Sequence, residues 1–502
     1  MSRIIGIDLG TTNSLMSIFD ESGSAKVIHN KEGKNLTPSV VWIQDKSKKF
    51  IKVGEEAKNV IGQEENVYPE FKREMGKATR YPFFDSDISP TELSAFILQK
   101  LKNDFELTHG KITTAVITVP ANFANEQREA TLAAAKIAGF KTQLLINEPT
   151  AAALHYAYSD GNDSNGTYMV FDLGGGTFDV SVVHVKGSDI EILASEGLQK
   201  CGGADFDKAI LKIISKKFKE EFNEELDLGK SNFTITDAEE IKISLSALTE
   251  KKVTIVAEGH PKKVFTITRK EFEAEIGGLL TQMNMTCDNI LVECEREKSK
   301  IQEIFLAGGS SRIPCVQDML EEFLGKKPKL KGNPDEAISL GAAIYAGLKA
   351  DKATLKAKQK DSISDVKLQE ISPAFFGTIS LNEQNQNSNS ILINKNEKIP
   401  CSVTDSFYTM HDNQTAIHLT ITQSPVEESD PRFVRTIWEG ELKVPGDRPK
   451  GQEMQVTFAY QENGLMSATF LDVASGLKQA VDITAQSEGA NSNINIDDFI
   501  VE

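Results

Sequence analysis

The 502-residue sequence predicts an α/β region followed by an all-β sandwich, and three observations support this. Residues 1–352 alternate apolar strand-like segments with helix-like ones, as in a sheet covered by helices. Residues 353–371 are rich in Lys, Asp, Ser and Gln and predict an interdomain linker. Residues 372–487 show the period-2 alternation and turn residues of a β-sandwich. Residues 488–502, rich in Asn, Asp and Ser, predict a disordered acidic tail.

Composition narrows the functional class. A net charge of -17 argues against nucleic acid or an anionic membrane as the main partner. No apolar run approaches the roughly 18 residues of a membrane span, and the first residues do not resemble a signal peptide. Five scattered cysteines without Cys-x-x-Cys spacing argue for reduced thiols and against structural zinc. We therefore expect a cytoplasmic protein.

A repeated motif indicates two related lobes that bind phosphate. Residues 4–19 and 168–185 each contain an apolar strand, Asp-Leu-Gly, a run of small and hydroxyl residues, and a second apolar strand. Glycine lets backbone N–H groups approach phosphate closely, and the carboxylates of Asp8 and Asp172 beside phosphate imply Mg²⁺ held through water. One such turn is equally well explained as a tight hairpin, but two favour a nucleotide. The loop residues expected to contact it are Gly10, Thr11, Thr12, Asn13, Gly174, Gly175, Gly176 and Thr177.

A third glycine pair follows an apolar strand and precedes a helix. Gly308, Gly309 and Ser310 suit a nucleoside lying on backbone at a strand-to-helix turn. The guanidinium plane of Arg312 could stack on a base. The G-x-G-x-x-G spacing is missing here, which excludes a dinucleotide site.

These motifs together resemble those of the seventy-kilodalton heat-shock chaperone family. The resemblance rests on Asp-Leu-Gly-Thr-Thr-Asn-Ser at 8–14, Asn-Glu-Pro-Thr-Ala-Ala-Ala at 147–153, Gly-Gly-Ser-Ser-Arg-Ile-Pro at 308–314 and Asn-Pro-Asp-Glu-Ala at 333–337, and it covers residues 3–487. It implies a two-lobed actin-like ATPase domain, a peptide-binding sandwich and an ATP-dependent chaperone of unfolded polypeptides. It also implies ATP or ADP, Mg²⁺ and K⁺ as ligands, and a J-domain co-chaperone and a nucleotide-exchange factor as partners.

The resemblance assigns catalytic roles that the local sequence does not. Lys72 would position the attacking water and the γ-phosphate, although alone it would be interpreted as a solvated surface lysine. Glu148 and Asp172, with Asp8, would hold the water around Mg²⁺. Asp8 and Asp179 would flank the phosphates, where the family also binds K⁺, and Thr177 would contact the γ-phosphate.

The same resemblance places the adenosine and an inter-lobe switch. Glu239, Lys242 and Ser246 lie at i, i+3 and i+7 of one predicted helix and would bind adenosine, although an exposed charged face explains them as well. Asp335 would close the nucleoside pocket, and Gly202 and Gly203 would also contact the nucleotide. Pro120 matches the family's switch proline, and a simple strand terminator is the alternative.

In the predicted sandwich, the resemblance points to a peptide groove. Its lining would be Phe407, Met410, Ala416, Ile417 and Leu419, with Thr378 and Leu381 on the opposite rim. The alternation of Ile417 and Leu419 is also what a sandwich core requires, and the sequence alone favours that interpretation.

The sequence departs from the family at three points. It stops soon after the sandwich, so we expect no helical lid and fast peptide exchange. Lys367 and Gln369 replace apolar linker residues, which makes interdomain coupling questionable. Gln143 and Leu144 stand where the family has a basic pair that J-domain partners use. Two alternatives stay open: a lidless nucleotide-binding scaffold or regulator for one client, and, with less support, a metabolite kinase.

Overall fold

The structure is a computed structural model that describes residues 3–45, 49–159, 165–330, 332–461, 464–483 and 494–502. Its first part mixes strands and helices, as predicted. The strands are β1 (Arg3–Leu9), β2 (Asn13–Phe19), β3 (Ala25–Ile28), β4 (Thr37–Pro38), β5 (Val41–Asp45), β6 (Phe50–Val53), β7 (Val67–Tyr68), β8 (Tyr81–Phe83), β9 (Ser86–Ile88), β10 (Ile112–Val119) and β11 (Thr142–Asn147). The helices are α1 (Glu55–Asn59), α2 (Pro90–His109), α3 (Asn125–Ile137) and α4 (Glu148–Ser159).

The α/β pattern continues to residue 363. The strands here are β12 (Asn165–Leu173), β13 (Phe178–Lys186), β14 (Asp189–Leu198), β15 (Glu250–Ile255), β16 (Lys263–Thr268) and β17 (Ile301–Ala307). The helices are α5 (Gly203–Phe222), α6 (Ile235–Ala247), α7 (Arg269–Glu293), α8 (Pro314–Leu324), α9 (Ala337–Lys349) and α10 (Ala357–Ile363).

Beyond α10, the regular elements other than one short 3₁₀ turn are strands. They are β18 (Lys367–Ile371), β19 (Phe375–Leu381), β20 (Asn387–Ile393), β21 (Lys398–Ile399), β22 (Cys401–Tyr408), β23 (Ala416–Ser424), β24 (Arg435–Lys443), β25 (Glu453–Tyr460), β26 (Met466–Asp472), β27 (Lys478–Asp482) and β28 (Ile500–Val501).

Two of the sheets share one plan. The first runs β11-β10-β1-β2-β3, and the second runs β17-β12-β13-β14-β18-β21. In each, an antiparallel meander of three strands is joined at its first strand by a parallel neighbour, β10 or β17. We call residues 3–147, which carry the first sheet, the first lobe, and residues 165–324, which carry most of the second, the second lobe. The two Asp-Leu-Gly motifs occupy the equivalent turns β1–β2 and β12–β13.

Helix α2 shows how the local sequence builds the first lobe. The Ser89 hydroxyl accepts a hydrogen bond from the Glu92 backbone N–H, and the Glu92 carboxylate accepts one from the Ser89 backbone N–H, so Pro90 starts the helix inside a capping box. Its apolar face, including Leu93 and Phe96, is fully buried in the core of the lobe. No helix in the described ranges is both apolar and long enough to cross a bilayer.

Two four-stranded sheets, β20-β19-β23-β24 and β22-β25-β26-β27, form the sandwich. Alternate residues of both sheets, such as Phe376, Ile421 and Phe458, meet in one buried apolar cluster. The period-2 pattern of the sequence reflects this single shared core.

The predicted linker carries regular structure. Residues 357–363 form α10, and β18 pairs in parallel with β14 and antiparallel with β21. Lys367 keeps its side chain in solvent, and Gln369 donates to the carbonyl oxygen of Ile399 at 2.8 Å. The substitutions are tolerated because the pairing uses backbone hydrogen bonds and the polar side chains stay at the strand's surface.

The prediction of a disordered tail is wrong for residues 494–502. They form a 3₁₀ turn, Ile496–Asp498, and strand β28, which pairs in parallel with β6. Ile496 is buried in the first lobe, and this burial offsets the entropy of ordering the segment. The rest of the predicted tail, 488–493, lies outside the described residues.

Candidate functional site

A cleft opens where the turns of the two lobes face each other. Each turn follows a strand of its sheet, so the shared topology brings distant sequence segments together. The cleft also receives the first residue of α4 and the 3₁₀ turn Phe71–Glu74. Predicted site residues that line it are Asp8, Gly10, Thr11, Thr12, Asn13, Lys72, Glu148, Asp172, Gly174, Gly175, Gly176, Thr177, Gly308, Gly309 and Asp335.

The two glycine turns lie in close contact. A Cβ on Gly175 would lie 2.3 Å from Oγ1 of Thr12, and one on Gly176 would lie 2.3 Å from Oγ1 of Thr11. Only glycine permits this approach, so the two positions tolerate no side chain. The backbone N–H of Gly203 donates to the carbonyl oxygen of Gly174 at 2.9 Å, which anchors the second turn on the start of α5.

Lys72 occupies the floor of the cleft. Its side chain is 5% exposed, and Nζ donates to Oε1 of Glu148 at 2.8 Å. The ring of Phe123 lies 5.5 Å from the same nitrogen. Lys72 is therefore a buried cation with a carboxylate partner, and not the solvated surface lysine that its local sequence suggests.

Three further carboxyl groups are buried in or beside the cleft: Asp8 and Asp172 line it, and Asp179 is fully buried. Burial, with the Glu148 charge second, raises the pKa of Asp8 to about 7, and a hydrogen bond from Thr118 opposes this. The same two causes raise the pKa of Asp179 to about 7 and that of Asp172 well above its usual range. Burial beside Glu148 thus disfavours the ionised form of these carboxyl groups, and a further cation nearby would favour it.

The donor set fits a hydrated cation. Oδ1 of Asp172 is buried and has no hydrogen-bond partner among the described residues. Within the same residues, no group of three or more His, Cys, Asp or Glu side chains is arranged to coordinate a metal ion directly.

The third glycine turn borders the other end of the cleft. Gly308 has φ +74°, and a Cβ there would lie 2.4 Å from the carbonyl oxygen of Leu173. Arg312 Nη2 is 2.9 Å from Oδ2 of Asp335 and also donates to Asn333. Its side chain is 46% exposed, so the guanidinium is held by these two partners and still reaches solvent.

Helix α6 presents part of its predicted face to this region. Glu239 pairs with Lys58 of the first lobe at 2.6 Å and lines an adjacent cleft with Thr11 and Thr12. Lys242 is buried, 2.7 Å from Asp207 Oδ1. The alternative of an exposed charged helix face is therefore wrong for these two side chains.

The remaining predicted nucleotide contacts lie behind the turns. Gly202 packs against the backbone of Gly175, and Gly203 faces Ser310. Ser246 is half-buried and lies outside the lining of both clefts.

One comparison with known proteins decides the family. A family model described as Hsp70 protein matches residues 4–89 and 82–501.

The chain belongs to the Hsp70 family.

Hsp70 proteins in general bind ATP or ADP with Mg²⁺, hydrolyse ATP, and work with unfolded clients, J-domain proteins and nucleotide-exchange factors. The family implies a two-lobed actin-like ATPase with a β-sandwich, and the mixed α/β structure with several sheets is consistent with this.

Sequence reasoning missed Arg73. Its guanidinium forms a two-pronged contact with Asp205, at 3.0 and 2.7 Å, and also donates to the carbonyl oxygens of Gly175 and Gly176. Arg73 thus fastens the second glycine turn from the first lobe. Its partner Asp205 is 132 positions away, at the third position of α5, where its carboxylate accepts a hydrogen bond from the backbone N–H of the N-cap residue Gly202.

The predicted peptide groove is partly closed. Leu419 is 3% exposed in the sandwich core, and Thr378 is buried with Oγ1 donating to the Thr420 carbonyl oxygen at 2.8 Å. Leu381 and Met410 are exposed. Phe407, Ala416 and Ile417 are half-buried, and Phe407 and Ile417 pack against the margin of the core.

Two further predictions from the resemblance concern the switch proline and the positions of the family's basic pair. Pro120 is buried directly after β10 and accepts a backbone hydrogen bond from Phe123, as a turn-forming residue would. Leu144 is half-buried against an apolar cluster. The side chain of Gln143 lies outside the described part of the structure.

Proposed function

We propose that this chain binds Mg²⁺ and ATP in the cleft between its lobes and hydrolyses the γ-phosphate bond. The observation that carries the proposal is the buried Lys72–Glu148 pair, which faces two glycine turns and three more carboxyl groups. Lysine and carboxylate side chains are seldom buried, and buried groups of this kind cluster at functional sites. Their position beside two glycine turns that can bind phosphate therefore favours a ligand site.

Each residue type has a defined task in this reaction. The turns containing Gly10 and Gly174–176 supply backbone N–H groups to the phosphates, and Thr177 adds a hydroxyl donor. Lys72 holds the γ-phosphate and orients the attacking water, while Glu148 fixes the position of the lysine. A bound Mg²⁺ would supply positive charge that offsets the charge developing on the phosphates.

The carboxylates would hold the cations through water. We assign Asp8, Glu148 and Asp172 to the shell of Mg²⁺, and Asp8 and Asp179 to K⁺ beside the phosphates. The raised pKa values of Asp8 and Asp179 support this, because a bound cation would stabilise the ionised carboxyl groups that burial disfavours.

Adenosine would lie between α6 and the third glycine turn. The guanidinium of Arg312, held by Asp335, would stack on the base. Lys242 and Glu239 lie across from it, although Lys242 would have to share its bond to Asp207 with the nucleoside. We propose 1–352 as the nucleotide-binding domain, 353–371 as the linker and 372–487 as the peptide-binding sandwich.

For the sandwich, we propose binding of an extended apolar segment of an unfolded polypeptide. Backbone pairing with a sheet edge would provide affinity and a half-buried pocket would provide side-chain selection. The exposed Leu381 and Met410 and the half-buried Ile417 support this role. Leu419 and Thr378 are buried and would act only as support beneath them.

ATP turnover measured with and without an apolar peptide tests the proposal. We expect ATP turnover without peptide and faster turnover when the apolar peptide is added. A charged peptide of equal length should leave turnover unchanged. Tight nucleotide binding with no turnover would favour the scaffold alternative. Transfer of phosphate to an added metabolite would favour the kinase alternative.

A further inference from the structure

Residues 494–502, which we call the strap, add a fourth strand to the small sheet of the first lobe. The sheet order is β28-β6-β5-β7. Ile500 N–H donates to the Lys49 carbonyl oxygen at 3.0 Å, Glu502 N–H to that of Ile51 at 3.1 Å, and Val53 N–H to that of Glu502 at 2.7 Å. The strap therefore satisfies an edge of β6 that would otherwise be open to other strands.

Apolar side chains fasten the strap to the lobe. Phe499 lies among three aromatic rings, with centroids 5.3 Å from Phe83, 5.8 Å from Phe84 and 5.6 Å from Phe96. Ile496 is 5% exposed and belongs to the same apolar core as Phe83 and Phe96. The strap thus enters the hydrophobic core of the lobe and does not merely lie on its surface.

Charged side chains also fix the position of the strap along β6. Lys52 lies 2.9 Å from the carboxylate of Glu502 and 3.0 Å from that of Glu56. The hydrogen bond from Lys52 lowers the pKa of Glu502. Backbone, apolar and charged contacts thus agree on one position of the strap.

The sandwich itself meets the two lobes through contacts of another kind. Beside the linker strand, they include the ion pairs Arg435–Glu126 at 3.2 Å, Lys395–Glu293 at 2.9 Å and Lys398–Glu191 at 2.6 Å. Arg435 and Lys398 are 60% and 63% exposed, so salt screens their two pairs, whereas Lys395 is 9% exposed and screened less. The apolar packing of buried Ile496 and half-buried Phe499 does not depend on charge. The strap should therefore stay docked when high salt weakens the exposed ion pairs of the sandwich.

We propose that the strap is an intramolecular tether that limits how far the sandwich can move from the first lobe. Ile483, the residue after β27, and Ile494 are separated by 11 positions in the sequence. An extended chain of that length reaches at most roughly 36–40 Å. When the strap is docked, this length is the upper limit on the distance between Ile483 and Ile494. The limit depends on chain length alone, so it does not rest on nucleotide binding or on the proposed ATPase activity.

Small-angle X-ray scattering of the nucleotide-free chain tests the tether. One variant carries a 20-residue Gly/Ser insertion between 483 and 494, which leaves every strap contact intact and adds about 25 Å of average span. A second variant, Phe499→Asp, releases the strap, and Asp497→Asn, at an exposed position of the strap, is the matched control. Each is measured at about 0.05 M and about 0.5 M NaCl, which differ in charge screening.

In high salt we expect the maximum dimension of the insertion variant and of Phe499→Asp to exceed that of the wild type by on the order of 20 Å. The Asp497→Asn control should match the wild type. Equal maximum dimensions for the insertion variant and the wild type at both salt concentrations would overturn the proposal. Damage to the lobe could not explain that result, because the insertion leaves every strap contact intact.

Amide exchange gives an independent measure of docking. Val53 N–H is bonded to the strap, so we expect at least tenfold slower exchange in the wild type and in the insertion variant than in Phe499→Asp. Equal exchange in the wild type and Phe499→Asp would show that the strap is not docked in solution, and this also overturns the proposal.

Discussion

The Nζ of Lys72 donates to Oε1 of Glu148 at 2.8 Å, and both side chains are more than nine-tenths buried. The contact joins the 3₁₀ turn of the first lobe to the first residue of α4. The charge of Lys72 also lowers the pKa of Asp8, Asp172 and Asp179, and so opposes the burial and the Glu148 charge that raise it.

Replacing Lys72 by Ala should abolish most hydrolysis and spare binding. Loss of one group that stabilises transition-state charge typically costs about 10²–10³ in rate, whereas the glycine turns still hold the phosphates. Single-turnover hydrolysis and calorimetric ATP affinity separate the two effects. Lys77→Ala, at a surface pair with Glu74, is the control. Equal losses of rate and affinity would mean that Lys72 is chiefly a binding residue.

Replacing Arg73 by Lys should weaken ATP binding. An ammonium group cannot reproduce the two-pronged contact with Asp205 and also bond the carbonyl oxygens of Gly175 and Gly176. We expect the binding free energy to weaken by about 1–2 kcal/mol, which raises Kd about 5- to 30-fold. The rate at which bound ATP is hydrolysed should change little. Arg80→Lys, at a largely exposed position, should leave Kd unchanged. An unchanged Kd in Arg73→Lys would contradict the role.

Glu129 on α3 should make stability depend on pH. Burial raises the pKa of its carboxyl to about 7, and Asn125 donates to Oε1 at 2.8 Å. Between about pH 4.5 and 7 the folded chain binds more protons here than the unfolded chain, so this contribution to stability falls as pH rises.

The variant Glu129→Gln removes that titration. We compare the free energy of unfolding of the variant with that of the wild type at each pH. The variant should gain about 1–3 kcal/mol relative to the wild type when the pH is raised from 5 to 8. Urea unfolding at both pH values measures the difference, and Glu64→Gln at an exposed site is the control. The same difference in the two variants would show that Glu129 is ionised at neutral pH.

Replacing Ile417 by Phe should reduce peptide affinity. The side chain is half-buried at the margin of the sandwich core, where a larger ring would fill the space proposed for a peptide side chain. We expect at least a fivefold weaker Kd for a labelled apolar peptide, read by fluorescence anisotropy in ADP and in ATP. Val426→Phe, 60% exposed, is the control. A lower urea midpoint with unchanged affinity would place Ile417 in the core alone.

The repeated Asp-Leu-Gly turns were predictable because each depends on its own strand and glycines. Lys72 was not predictable locally, since its partner Glu148 is brought near it only by the fold. Arg73 escaped for the same reason, with Asp205 in the other lobe. These contacts between lobes have no periodic signature in the sequence.

The strap was misjudged for a different reason. Average composition hides its few apolar residues, such as Ile496 and Phe499, within a polar segment, and these two pack into the first lobe. In the linker, β18 pairs through its backbone, and the weakened coupling expected from Lys367 and Gln369 stays a prediction.

Strand β18 makes the second sheet continuous from β14 to β21 of the sandwich. A ladder of hydrogen bonds can shift only by whole residues, and a shift of one would turn Leu368 to the opposite face. The joint between the second lobe and the sandwich therefore resists gradual sliding along the strands, because any intermediate position would break hydrogen bonds on both sides of β18.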